Sequence, residues 1–279
     1  MDEVMPEPAR RARLYDRSHR RLVFIHESAS AEFWDDLWSK TDLLKLVRTD
    51  KSRAEVKTTC AYLPPGARVL EGGCGLAQRV YALRAAGFDA IGVDFAEQTV
   101  RRVNETFPEL PVTVDDVRKL AFPDGFFDGY WSLGVIEHFA EGYEAVAEEM
   151  VRVLRPGGYL FLAFPAMSPL RRLKAALGVY KVTSGDVVLP GFYQFALDPR
   201  DVVGFFAARG FVLVERRFFD AIDGIADELG PLGAGARWLA DREGPLWSML
   251  RMGSELLLGS CLGHCALLVL RKRPGPTAL

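Results

Sequence analysis

One pairing narrows this chain more than anything else. Residues 69–75 (VLEGGCG) run from a short apolar stretch into a glycine-rich turn, and 19 positions after Gly75 the run Ile91, Gly92, Val93 ends on Asp94. Two apolar strands separated by a helix's length form the unit from which parallel sheets are wound, because a parallel partner is reached only through a crossover. The glycines let the backbone turn sharply and let a ligand approach it closely. An acid at the tip of the second strand suits the two hydroxyls of a ribose. The pair therefore predicts an α/β fold that binds a nucleoside.

Three details favour S-adenosylmethionine over a dinucleotide. Gln78 stands where G-x-G-x-x-G would place its third glycine, and a dinucleotide needs close helix–strand packing and an open helix N-terminus for its pyrophosphate. Glu71 just before the turn would repel a pyrophosphate but tolerates a cation, and the methionine part of the cofactor carries an ammonium and a sulfonium. Asp115 and Asp116 end the next strand, where an acid can accept a hydrogen bond from the adenine amino group.

On these residues the stretch 68–164 resembles class I, seven-strand S-adenosylmethionine-dependent methyltransferases of the type 11 branch. The matching pieces are 69–75, 92–94, 115–117, 120–124, 127–128, 132–138 and 153–158. One position departs: the family often has a glycine two residues after the last motif glycine, and here it is Ala77. The resemblance implies a doubly wound, Rossmann-like, mostly parallel seven-stranded sheet of order 3-2-1-4-5-7-6 with its last strand antiparallel. It places Glu71, Gly72, Gly73, Gly75 and Gln78 at the cofactor turn, Asp94 on the ribose and Phe95 beside the adenine. Asp116 would take the adenine amino group, Val117 would offer its amide, and Leu133 would border methionine and ribose. Asp94 and Asp116 also fit as caps of the turns or helices they precede.

Strands are expected at 68–71, 90–94, 112–115, about 127–133, 159–164, 211–219 and 265–271, with helices between them. Residues 1–60 are expected to form an N-terminal helical cap. The core would span 61–219 and 265–273, a helical insertion 220–264, and a tail 274–279. Phe33, Trp34, Leu37, Trp38, Thr41 and Leu44 share one helical face, as in a helix that packs on the core or roofs an acceptor pocket. Arg10, Arg11, Arg13, Arg17, Arg20 and Arg21 with His19 suit a solvated N-terminal segment or an anion-attracting arm. Residues 190–195 are expected to be a loop. Pro245 opens a helix with Leu246, Met249, Leu250, Gly253, Leu256 and Leu257 on one side. That face suits packing on the body, a homodimer contact, or a lid over a hydrophobic acceptor or membrane surface.

The 279 residues suit one large domain with additions, and 49% hydrophobic residues supply a full core. A net charge of −2 offers nucleic acid no overall attraction. No run of about 18 uncharged apolar residues predicts a transmembrane helix, and the N-terminus shows no apolar signal segment. Four cysteines, Cys60, Cys74, Cys261 and Cys265, make no disulfide framework and suit a reducing cytoplasm. Cys261, His264 and Cys265 lack a fourth ligand nearby, so no metal is expected.

Methyl transfer from a sulfonium is an in-line displacement with a neutral leaving group, so it needs no acid. Alignment alone supplies up to roughly 7–11 kcal/mol. His138, just past the fourth strand, is the candidate general base; it also fits as a packing or capping residue. Tyr193 and Gln194 are candidates for the pocket wall by loop position. The expectation is a methyltransferase acting on a small or lipophilic acceptor at O, N or C. The alternatives are a non-catalytic S-adenosylmethionine-binding partner or regulator, and a nicotinamide oxidoreductase, which Gln78 and Glu71 oppose.

Overall fold

A computed structural model describes residues 12–48, 52–183, 190–230 and 245–274, together with 233, 235, 236, 238 and 242. Two strands come first, β1 (Ala12–Asp16) and β2 (Arg21–Ile25). Then follow β3 (Arg68–Gly72), β4 (Asp89–Asp94), β5 (Val112–Val114), β6 (Phe127–Leu133) and β7 (Leu154–Pro165). The last four are β8 (Lys181–Thr183), β9 (Phe192–Ala196), β10 (Phe211–Phe219) and β11 (Cys265–Lys272).

The large sheet is ordered β10-β11-β7-β6-β3-β4-β5. Numbered along the chain within that sheet and read from the β5 edge, the order is 3-2-1-4-5-7-6. Its strands run parallel except β11, which lies antiparallel between β7 and β10. The chain winds outward from β3 towards β5 and outward from β6 towards β7. The winding reverses between β3 and β6, so a crevice opens beyond the C-terminal ends of those two strands.

Both faces of this sheet are covered. Val69 and Leu70 are adjacent and fully buried, yet Leu70 packs with Tyr130, Leu160 and Leu162 while Val69 packs with Val80, Trp131 and Phe161. This is why the central strands read as continuous apolar runs rather than alternating ones. The Trp131 indole N–H, buried between layers, donates to Thr59 Oγ1 at 2.9 Å. No described helix is long and apolar enough to cross a membrane.

The first 60 residues correct the expected helical cap. Residues 12–25 form a hairpin that joins β8 and β9 in a four-stranded sheet, β8-β1-β2-β9. The expected loop at 190–195 therefore supplies β9, whose Phe192 and Phe195 enter the core. Arg13, Arg20 and Arg21 are held in place rather than left on a free arm. Arg13 pairs with Glu228, Arg20 with Asp201, and Arg21 with the buried Asp16 at 3.0 Å while stacking on the Phe195 ring. Asp16 also accepts from the Ser18 amide and hydroxyl, which closes the hairpin turn. Arg10 and Arg11 lie outside the described residues.

The tryptophan helix is real but short. It is split into α1 (Ala31–Ser39) and α2 (Leu43–Arg48), followed by α3 (Arg53–Tyr62), α4 (Gln78–Ala85) and α5 (Glu97–Thr106). Ala96, at the start of α5, has no side chain to cap it. Asp35 of α1 does so instead, accepting from the Thr99 amide at 2.8 Å and its hydroxyl at 2.6 Å. Arg102 of α5 returns the contact, donating to the carbonyls of Trp38 and Thr41. These reciprocal caps lock α1 over the crevice.

The chain continues with α6 (Glu144–Val153), α7 (Pro169–Ala176) and α8 (Pro199–Ala207). Between β10 and β11 lie α9 (Ala221–Glu228) and α10 (Pro245–Leu262). The side chains of Leu246, Met249, Leu250 and Leu256 lie outside the described residues, as do residues 275–279. Leu257 is 81% exposed, so it does not belong to a face packed on the body.

Candidate active site

The turn after β3 explains its own residues. Gly73 sits at φ +73, where a Cβ would collide with the Val135 side chain. Gly75 sits at φ +50 beneath the indole of Trp38, which a Cβ would meet at 3.2 Å. The Gly73 and Cys74 amides both donate to the Val93 carbonyl, at 2.8 and 2.9 Å, and stitch the turn to β4. Gly72 has a different job. A Cβ there would strike the Tyr130 hydroxyl, so this glycine serves packing behind the turn. Ala77 takes the left-handed conformation at φ 55, which favours glycine.

A cavity of about 830 Å³ opens at this turn, within the size range of small-molecule sites, about 300–1,000 Å³. Gly73, Gly75, Gln78, Asp94, Phe95, Asp116, Val117, Leu133 and His138 all line it. Glu71 and Gly72 do not. Glu71 is buried, and its Oε1 accepts from Arg79 Nη1 at 3.2 Å. Burial raises its pKa to about 7 even against the Arg79 charge. With a guanidinium beside it, Glu71 does not present the bare negative charge that its place before the turn suggested.

Asp94 is 6% exposed and holds both sides of the site together. Its Oδ2 accepts from the Gly75 amide at 2.7 Å and its Oδ1 from the Ala96 amide at 3.0 Å. Each oxygen keeps a lone pair for a further donor. Burial raises its pKa, the direction expected of a carboxylate short of donors. Farther along, Asp115 is consumed by its own turn, accepting from the Asp116 and Ala121 amides. Asp116, which lines the wall beside it, is gripped by Arg118 through Nε at 3.0 and 3.1 Å and Nη2 at 2.8 Å. Arg118 is the largest influence holding the Asp116 carboxyl below its usual range.

The opposite side of the cavity follows β6, two strand positions from Asp94. There a single tight turn, Ile136–His138, carries Glu137 and His138. His138 Nδ1 meets the Tyr193 carbonyl at 2.8 Å. A carbonyl only accepts, so Nδ1 carries the proton and Nε2 the free lone pair. Burial lowers the ring's pKa to about 4. The Trp34 and Tyr193 rings stand edge-on to it, each at a centroid distance of 5.1 Å. Tyr193 backs His138 rather than lining the cavity, while Gln194 does line it.

Glu137 is the residue that pattern reading passed over. It lines the cavity, is 2% exposed, and its Oε2 has no hydrogen-bond partner among the described residues. Burial lifts its pKa to about 8. Its place beside His138 is visible in sequence, but its desolvation is not. Gln78 Oε1 is a second buried acceptor without a partner, also on the wall. Trp34, Trp38 and Phe192 add aromatic surface to the same wall.

The residues fit S-adenosylmethionine: two free lone pairs on Asp94 for ribose hydroxyls, glycine backbone at the turn, and orphaned acceptors on the wall for cationic groups. Residues 70–162 match the family model described as a methyltransferase domain. Residues 70–162 therefore form a methyltransferase domain of the class I, S-adenosylmethionine-dependent kind.

Curated relatives agree with the family. The 2-methyl-6-phytyl-1,4-hydroquinone methyltransferase of Synechocystis sp. is 40% identical over 107 residues, 36% of this chain and 33% of that protein. The demethylmenaquinone methyltransferase of Beutenbergia cavernae is 30% identical over 119 residues, 43% of this chain and 49% of that protein. The chain thus spans a third to a half of these relatives' lengths. Among solved structures, the [4+2]-cyclase SpnF superposes with a TM-score of 0.54 at 19% identity, covering 90% of this chain and 99% of that one. A sarcosine dimethylglycine methyltransferase of Galdieria sulphuraria, described as putative, gives 0.54 at 15% identity over 87% of this chain and 98% of that one. The two solved structures share the methyltransferase fold and carry different activities in their names, so the fold alone does not assign the reaction.

Proposed function

We propose that this protein transfers a methyl group from S-adenosylmethionine to a small lipophilic acceptor, at a hydroxyl or at a carbon that a hydroxyl activates. The observation that carries this is one cavity with two chemistries. Asp94 and the glycine turn provide a nucleoside seat. About 10 Å away across β3, Glu137 and His138 sit among aromatic side chains. Relatives named for a phytyl hydroquinone and for demethylmenaquinone support an acceptor of this kind.

When bound, S-adenosylmethionine supplies an electrophilic methyl on a sulfonium that leaves as a neutral thioether. Asp94 holds the ribose through the lone pairs that Gly75 and Ala96 leave free. Trp34, Trp38 and Phe192 exclude water. His138 Nε2 accepts a hydrogen bond from the acceptor hydroxyl and orients it. A base of pKa about 4 is too weak to keep that proton, so Glu137 receives it. Its carboxyl, lifted to about 8, is matched to neutral pH, and a cation brought into the cavity shifts it towards the carboxylate.

The test is calorimetry with S-adenosylmethionine and with NAD, followed by transfer of labelled methyl to a panel of hydroquinones, phenols and amines. Micromolar binding of the first alone, with label recovered in a hydroquinone or phenol, supports the proposal. Binding without transfer to any acceptor favours a cofactor-binding partner or regulator. Absence of binding removes the cofactor assignment.

A further inference from the structure

A second cluster of chemically potent side chains lies outside the lining of the cavity, where the sheet edge meets α9. In the antiparallel β10–β11 ladder Phe219 pairs with Cys265. The next residue on one side is Asp220 and the preceding one on the other is His264, so the register sets them across from each other. One oxygen of Asp220, one ring nitrogen of His264 and the Cys265 sulfur lie within 4.8 Å of one another. The backbone here has little freedom. A Cβ on Gly224 of α9 would collide with the Leu262 carbonyl, and one on Gly263 would press on Phe219.

We infer that Asp220, His264 and Cys265 form a binding site for a divalent cation of the zinc class, separate from the methyl-transfer cavity. A thiolate, an imidazole and a carboxylate are zinc's usual donors, with bonds of about 2.0–2.3 Å, and three protein ligands leave a fourth position for water.

Two further observations support the site. His264 Nδ1 is buried and has no hydrogen-bond partner among the described residues. Asp227 Oδ2 stands 3.7 Å from it, too far for a hydrogen bond, and adds negative charge beside the ring. The local field also suits a cation. Asp220, Asp223, Asp227, Glu228 and Glu137 act on His264 or Cys265, against Arg171, whose own charge Glu228 meets at 2.9 Å. Without a metal, the Cys265 thiol holds its proton beside Asp220. Binding therefore breaks that S–H bond, forms a metal–sulfur bond and releases the proton to solvent.

Spacing alone did not reveal this group. Cys261, which lies nearer in sequence, is exposed and is not one of the three, while Asp220 lies far upstream. A cation held here would pin the exit of β10 to the entry of β11.

The experiment is titration of the reduced protein with cobalt(II) in the absence of air. The expected result is one equivalent bound, with a thiolate-to-cobalt charge-transfer band in the near ultraviolet and tetrahedral ligand-field bands that zinc bleaches. Cys265→Ser abolishes the charge-transfer band. Asp220→Asn and His264→Ala each weaken binding by about tenfold or more, and the double variant Cys60→Ser, Cys261→Ser leaves the spectrum intact. No charge-transfer band in the wild type overturns the inference, as does a band that survives Cys265→Ser or an affinity unchanged in both other variants. Should Cys265→Ser fail to fold, the thermal midpoint decides: zinc raises it for the wild type and not for His264→Ala, and equal responses overturn the site.

Discussion

The Asp94 carboxylate grips the Gly75 amide at 2.7 Å, so the acid ending β4 sets the turn that ends β3. One side chain thereby shapes the turn and keeps lone pairs for the ribose contact proposed above. Removing it should cost two charge-assisted hydrogen bonds. Asp94→Ala is expected to weaken S-adenosylmethionine binding by about 2–4 kcal/mol, roughly 30- to 1,000-fold, measured by calorimetry. An unchanged Kd would take Asp94 off the ribose.

Glu137 should trade stability for activity. A carboxyl lifted to about 8 favours folding when protonated. Its contribution is fully present below the unfolded value of 4.5 and is lost as pH rises through about 8. Glu137→Gln removes that loss and should be roughly 1–3 kcal/mol more stable than wild type at pH 9 in urea melts. The same variant should lower kcat/KM by about 10²–10⁴ and erase the rise towards alkaline pH. A variant with full activity would exclude Glu137 as the base.

His138 should behave differently. With its pKa lowered to about 4, it stays neutral across the physiological range. His138→Ala is expected to reduce kcat by about 10- to 100-fold at every pH from 5 to 9 without changing the profile's shape. An inflection near 6.5 in wild type that disappears in the variant would make His138 the proton acceptor instead.

Glu228 joins three elements through one carboxylate. Its Oε1 accepts from Arg171 at 2.9 Å and Arg13 at 3.0 Å, and its Oε2 from Lys174 at 2.6 Å and Tyr180 at 2.7 Å. Burial alone would raise its pKa, but the hydrogen bonds from Lys174 and Tyr180 and the Arg171 charge outweigh burial and hold it near 2. The lowered value means its stabilisation is present above the unfolded value of 4.5 and is lost as pH falls through about 2. Glu228→Gln should cost about 3–5 kcal/mol at pH 7, with the gap to wild type narrowing towards pH 2. Denaturant unfolding at several pH values measures both.

Ala77 occupies a left-handed position at φ 55. Ala77→Gly relieves that strain while loosening the unfolded chain, for a net gain of roughly 0.5–1 kcal/mol. A thermal midpoint that does not rise would show the turn to be unstrained.

Much of the core was legible in the sequence, because its signals are short-range. The glycine turn at Gly73 and Gly75, the acid at Asp94 and the apolar runs of β3, β4, β6 and β10 are each written within a few consecutive residues. Backbone conformation and strand burial act over that distance. The second sheet was not legible: β1 and β2 find β8 and β9 more than 150 positions away. Arginines that look solvated in a linear run are paired to Asp16, Asp201 and Glu228 by that folding. Titration behaviour was equally hidden. Glu71, Glu137 and His138 differ from ordinary side chains because water is excluded around them, and Arg79 or Tyr193 is brought to their side by tertiary packing. The sequence by itself determined which turn carries the nucleoside-binding pattern. The tertiary structure decided which acids are bare, which are paired and which proton each group holds, because desolvation and long-range proximity belong to no window of sequence.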